Sequence, residues 1–207
     1  NWLKMIQLFS LISFAGLCYF GWQLEFKTLM YIIGFGIVTF LYAIPFLPKR
    51  IFLEEGKNLR AISGLKIYII AFVWAGITVI LPVIDDGHPL SLDIVLTLIQ
   101  RYVYVLVAML PFEIRDMQFD SLKLSTIPQQ IGVNRTKHVG VLLLVAFFVM
   151  EFFKDETSIA QVFILTVVSI MLVLFLMFSQ IRQRQYYSSF LVEGIPIFWL
   201  ALILLLS

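Results

Sequence analysis

Charge is scarce in this chain. Only 14% of its 207 residues are Asp, Glu, Lys or Arg, while 61% are apolar, and the mean hydropathy is +0.97. A soluble domain carries about a quarter charged residues. That deficit excludes a water-soluble core and implies a multi-span membrane protein. Cysteine is almost missing as well. Cys18 stands alone, so no internal disulfide can form and a cysteine metal site is not expected; it reads as a small apolar packing residue. Period-two alternation is absent, which argues against a β-barrel. There is no low-complexity tract, no strong internal repeat and no separate soluble domain. The opening apolar run lacks a small-residue cleavage site and is about 20 residues long, so it reads as a span and not as a signal peptide.

What the chain does have is seven apolar segments, at 3–22, 28–47, 66–84, 92–112, 138–153, 158–179 and 188–206. Most reach the ~20 residues that a helix needs to cross hydrocarbon. Lipid offers backbone groups no partners, so these segments must be helices. The expected fold is all-α, a single polytopic membrane bundle over residues 1–207 with seven spans. The fifth segment is short and is either tilted little or extended at its ends. Charge alternates between loops. Lys49, Arg50, Lys57, Arg60 and Lys66 follow the second span; Arg115, Lys123, Arg135, Lys137 and His138 follow the fourth; Arg182 and Arg184 follow the sixth. The intervening loops hold Asp85, Asp86 and His88, then Glu151, Lys154, Asp155 and Glu156. Basic loops stay cytoplasmic, which puts Asn1 inside and Ser207 outside. Trp2, Trp22, Tyr31, Tyr186 and Tyr187 stand at span ends, as interfacial aromatics do. Asn134-Arg135-Thr136 fits the glycosylation triplet by chance, since its loop is assigned to the cytoplasm.

The most informative stretch is Leu110-Pro111-Phe112-Glu113-Ile114-Arg115-Asp116-Met117-Gln118-Phe119-Asp120, where an apolar run meets a polar loop. At about 100° per residue, Glu113, Asp116 and Asp120 fall at roughly 0°, −60° and −20° on one helical face. Arg115 is expected to point away from them, and Pro111 to stand in the first turn of this segment. Crowded carboxylates repel one another and need cations. Oxygen-only ligands suit Mg²⁺ shared with a substrate phosphate. A solvated helix end at the membrane surface is the plainer alternative.

The stretch continues through Lys123 to Thr126-Ile127-Pro128 and Ile131-Gly132. Here the sequence resembles the second aspartate-rich motif of the UbiA superfamily of intramembrane prenyltransferases: acidic residues, a basic residue, Thr-Leu-Pro and Leu-Gly. Tyr42-Ala43-Ile44-Pro45-Phe46-Leu47-Pro48-Lys49-Arg50 is similar to that family's Tyr-Pro-Lys/Arg stretch, and Gly64-Leu65-Lys66 with Trp74 also looks similar. The resemblance is strongest from Leu41 to Gly140. It implies a UbiA-like bundle with a lipid-facing cavity. Such a protein transfers a polyprenyl group from its diphosphate to an aromatic or other lipophilic acceptor such as a quinone precursor. Carried onto this sequence, Glu113, Asp116 and Asp120 hold Mg²⁺, with Asp116 and Asp120 catalytic. Lys49, Arg50, Lys123, Arg101 and Tyr42 contact the diphosphate, and Arg60 and Lys66 are weaker choices. Thr126, Pro128 and Gly132 shape the loop. The implied partners are polyprenyl diphosphate, the acceptor and membrane lipid, with no nucleic acid. The implied location is the bacterial inner membrane with the acidic motif on the cytoplasmic side.

The family's first motif, Asn-Asp with spaced aspartates in a nine-span bundle, has no counterpart here. The chain is therefore either N-terminally truncated or a short member, and a catalytically degenerate relative that binds isoprenoid or phospholipid is the alternative. Arg101 sits inside the fourth span, where charge is expensive and faces inward; it serves the diphosphate or a cavity carboxylate, or pairs structurally through Gln100. Glu193 either lines the cavity or lies at the interface. Asp85, Asp86, Asp93 and His88 lack the spacing of a metal site. A transporter using Arg101 and Glu193 ranks last, because no interrupted helix pair is evident.

Overall fold

The computed structural model describes residues 2–43, 64–118, 126–183 and 187–206. Among them all regular structure is helical: α1 Trp2–Gln23, α2 Phe26–Ala43, α3 Leu65–Asp85, α4 Leu92–Asp116, the short α5 Ile127–Ile131, α6 Val133–Phe153, α7 Ile159–Phe178, a π-helical stretch Tyr187–Val192 and α8 Ile195–Leu206. Five of these, α1, α3, α4, α6 and α7, are long and apolar enough to cross a membrane. The stretches Phe26–Tyr42 of α2 and Phe190–Leu206 are apolar but shorter.

Local chemistry sets the helix ends. Ser91 Oγ accepts from the Ile94 amide at the start of α4. Ser158 and Gln161 exchange bonds at the start of α7, Oγ accepting from the Gln161 amide at 3.1 Å and Oε1 accepting from the Ser158 amide at 2.9 Å. Both arrangements satisfy donors that a first turn leaves open. The fifth apolar segment does extend at its end, because α6 starts at Val133. Arg135, Lys137 and His138 therefore lie on helical turns and not in a loop. Lys137 Nζ donates to the Met177 carbonyl at 2.7 Å, a cation at the negative end of α7. The α3 helix widens into a π turn over Gly76–Ile80. That turn precedes Pro82, whose ring crowds the carbonyl four residues back in a regular helix.

Helix α4 is central. It packs against α3, α6 and α7, and Val107, Leu110 and Ile114 from it meet Phe147, Val168, Leu172 and Leu176 in the core. Between helices in lipid, association rests on close packing, since lipid tails are as apolar as leucine. Two glycines allow that closeness. A Cβ on Gly76 would overlap the Phe35 ring of α2, and one on Gly140 would overlap Leu176 of α7 and stand 2.9 Å from Leu110 of α4. By contrast α1 buries no residue. Its large apolar side chains are exposed on every side, a surface suited to lipid and not to water.

Candidate functional site

The last turn of α4 carries Glu113 and Asp116, three residues apart and so on one face. The first turn of α3 carries Lys66. These helices are antiparallel neighbours, so the end of one meets the start of the other. Lys66 Nζ lies 3.9 Å from Glu113 Oε1 and 3.7 Å from Asp116 Oδ2. Both carboxylates therefore converge on one ammonium group. Glu113 is 3% exposed, while the Asp116 side chain is 22% exposed. Burying a carboxylate is costly unless a cation accompanies it, and Lys66 supplies one.

Arg115 does not point away from the acids. Its guanidinium folds onto its neighbour, with Nη2 at 2.8 Å and Nε at 2.9 Å from Asp116 Oδ1. A long side chain spans adjacent positions that the helical wheel places apart. Its plane also covers the Phe112 ring at 5.4 Å. Pro111 likewise departs from expectation. It lies in the interior of α4, which runs unbroken from Leu92 to Asp116. Its own carbonyl accepts from Gln183 Nε2 at 3.1 Å, which ties the segment after α7 to this end of the bundle.

Tyr42 stands on the last turn of α2. Thr28, at the other end of α2, donates to Asp85 at the far end of α3, so Tyr42 and Lys66 share one end of the bundle. Asp120, Lys123, Lys49, Arg50 and Arg60 lie outside the described residues. Thr126, Pro128 and Gly132 do shape the backbone. Thr126 caps α5, its amide bonded to Gln129 Oε1 at 3.1 Å. Pro128 lies in the first turn, and Gly132 has φ +82°. Among the described residues no three Asp, Glu, His or Cys side chains gather as a metal group; Glu113 and Asp116 form a pair.

Arg101 belongs elsewhere. Twelve residues at 1.5 Å each separate it from Glu113 by about 18 Å along α4. It lines a cavity of about 250 Å³ with Gln100, Glu151, Lys154, Gln161 and Trp199. Gln100 does not pair with it. Instead Gln100 Nε2 donates to Glu151 Oε2 and to the Phe147 carbonyl, both at 3.0 Å. Glu151, assigned to a loop by sequence, is 2% exposed and meets Lys154 Nζ at 2.7 Å. Glu193 is exposed at the turn before α8 and does not line this cavity.

Lys66, a weaker choice by sequence, is the residue that the fold brings to Glu113 and Asp116, and its place in the first turn after Gly64-Leu65 was the available signal. Sequence reasoning missed the Gln100–Glu151–Lys154 group entirely. Nothing in sequence marks Glu151 as buried, because the helical turn that buries it follows a long apolar helix and precedes a charged run. No family model, no curated protein and no solved structure matches the chain.

Proposed function

We propose that this chain is a UbiA-like membrane prenyltransferase that moves a polyprenyl group from its diphosphate to an aromatic or other lipophilic acceptor. The observation that carries this is the convergence of Glu113 and Asp116 on Lys66 at one end of a helical bundle, followed by the Thr126-Ile127-Pro128…Gly132 turn. The donor set fits Mg²⁺, which binds through one or two carboxylates together with substrate phosphates. Glu113 and Asp116 would hold the ion, with Asp120 as the third carboxylate of the motif. The ion, when bound, supplies charge stabilisation for the leaving diphosphate. Lys66, which lies beside both carboxylates, would share that task. Lys49, Arg50, Lys123 and Tyr42 remain the other diphosphate contacts in this reading, and Arg101 is removed from the set by its distance. Surrounding helices keep water from an allylic cation. Counting α2 and Phe190–Leu206 as spans gives seven, and the alternation of basic loops then puts the Glu113 end in the cytoplasm.

The experiment offers purified protein labelled prenyl diphosphates, Mg²⁺ and several acceptors. Transfer that is lost in Asp116→Ala supports the proposal. No transfer, together with diphosphate binding unchanged in Asp116→Ala, refutes it. A second reading is favoured by one feature: Lys66 and Arg115 already neutralise the described carboxylates. It makes the chain a non-catalytic isoprenoid or phospholipid binder, and Mg²⁺-independent binding of prenyl lipid without turnover would select it.

A further inference from the structure

The cavity around Arg101 lies at the opposite end of the bundle from Glu113, and its lining is unusual for the middle of an apolar helix. Arg101 is three residues from Tyr104, the midpoint of α4. A helical side chain leans towards its N-terminus, so the guanidinium reaches towards the Leu92 end, where Thr97 and Lys154 line the same cavity. The guanidinium carbon sits 4.4 Å from the Trp199 ring centroid and 6.0 Å from that of Tyr104. Its Nε is buried and has no hydrogen-bond partner among the described residues. No described carboxylate pairs with it. The nearby acid, Glu151, is already taken by Lys154 and Gln100. Two cations and one carboxylate leave this lining with one net positive charge.

An arginine inside a helix bundle is expensive without a counter-charge, and aromatic faces offset only part of that cost. The geometry points to a phosphate-binding site here: Arg101 supplies the charge, with Lys154 and Gln161 as further donors at the rim. The space of about 250 Å³ exceeds the ~30 Å³ of one water, so a tetrahedral anion fits with its hydration. A singly charged phosphodiester matches the one positive charge of the lining. Ile164, Leu165 and Ile203 continue the wall as apolar surface, which suits acyl chains, so the phosphate group of an anionic phospholipid and free phosphate share the chemistry required. This site is independent of prenyl transfer and stands if that proposal fails.

The test uses the full chain in detergent and in nanodiscs, with native mass spectrometry as readout. Phosphatidylglycerol and phosphatidylcholine are offered separately, and inorganic phosphate is added as competitor. Retention of phosphatidylglycerol over phosphatidylcholine, whose choline cancels the phosphate charge, identifies an anionic phospholipid. Binding of inorganic phosphate without lipid preference identifies the free anion. In either case Arg101→Gln weakens binding at least tenfold, Lys154→Gln weakens it less, and Glu151→Gln, which raises the charge of the lining, tightens it several-fold. Loss of folding cannot imitate a variant that binds more tightly, so Glu151→Gln carries the test if Arg101→Gln or Lys154→Gln does not fold. Retention of neither probe, or affinities that fail to follow the charge of the lining across these variants, overturns the site.

Discussion

Gly140→Ala tests how the bundle is held together. The new methyl group would meet Leu176 on α7 and stand 2.9 Å from Leu110 Cδ1 on α4. Both leucines are in the sealed core, at 0% and 1% exposure, so neither can swing into open space. Overpacking of this kind costs about 1–3 kcal/mol. Alanine regains roughly 1 kcal/mol of helix propensity over glycine, which leaves a net loss near 1 kcal/mol. Gly34→Ala is the matched control, because a Cβ there meets nothing within 4 Å and only the propensity gain applies. The two variants should differ by about 2 kcal/mol. For a chain of this size that is a gap in melting temperature of roughly 4–8 °C, readable by tryptophan fluorescence in detergent. A double-mutant cycle sharpens the test. In a Leu176→Ala background the methyl group occupies the vacated space, so Gly140→Ala should cost less there or stabilise, with a coupling of about 0.5–3 kcal/mol. If Gly140→Ala melts with or above Gly34→Ala, and no coupling to Leu176 is found, close approach at this glycine does not hold α6 against its neighbours.

Gly132→Ala should destabilise by about 1–3 kcal/mol, because φ +82° with ψ 156° is a region that side chains resist; equal melting temperatures in a thermal scan would contradict it. Lys154→Ala should cost about 3–5 kcal/mol, since it strips the cation from a buried Glu151, and an SDS or urea titration that finds under 1 kcal/mol would show the pair to be inconsequential. Tyr187 donates to the Phe175 carbonyl at 2.7 Å, and burial pushes its hydroxyl above the ordinary range. The folded state thus keeps the proton longer than the unfolded one. Its contribution is full below about pH 10 and is lost as pH rises through the folded value. Tyr187→Phe should flatten that alkaline decline in a pH series of melting temperatures, and an unchanged slope would refute the assignment.

Composition and hydropathy alone determined that the chain is helical and membrane-like, because lipid leaves a backbone no other way to satisfy its polar groups. Spacing alone put Glu113 and Asp116 on one face, since three residues make nearly a full turn. The Thr126-Ile127-Pro128…Gly132 stretch announced its own turn, as capping, proline and glycine effects act within a few residues. Tertiary structure decided the rest. Only the antiparallel packing of α3 on α4 brings Lys66, separated from Asp116 by 50 positions in sequence, to the two acids. Spacing along one helix already holds Arg101 apart from them, but only the fold sets it beside Glu151, Lys154 and Trp199. Glu151 could not be recognised as buried until α4 and α6 packed and Gln100 reached across to it. Local periodicity records which way a side chain faces, but its partner is set by which helices become neighbours, and that depends on close-packing distances that no single segment encodes.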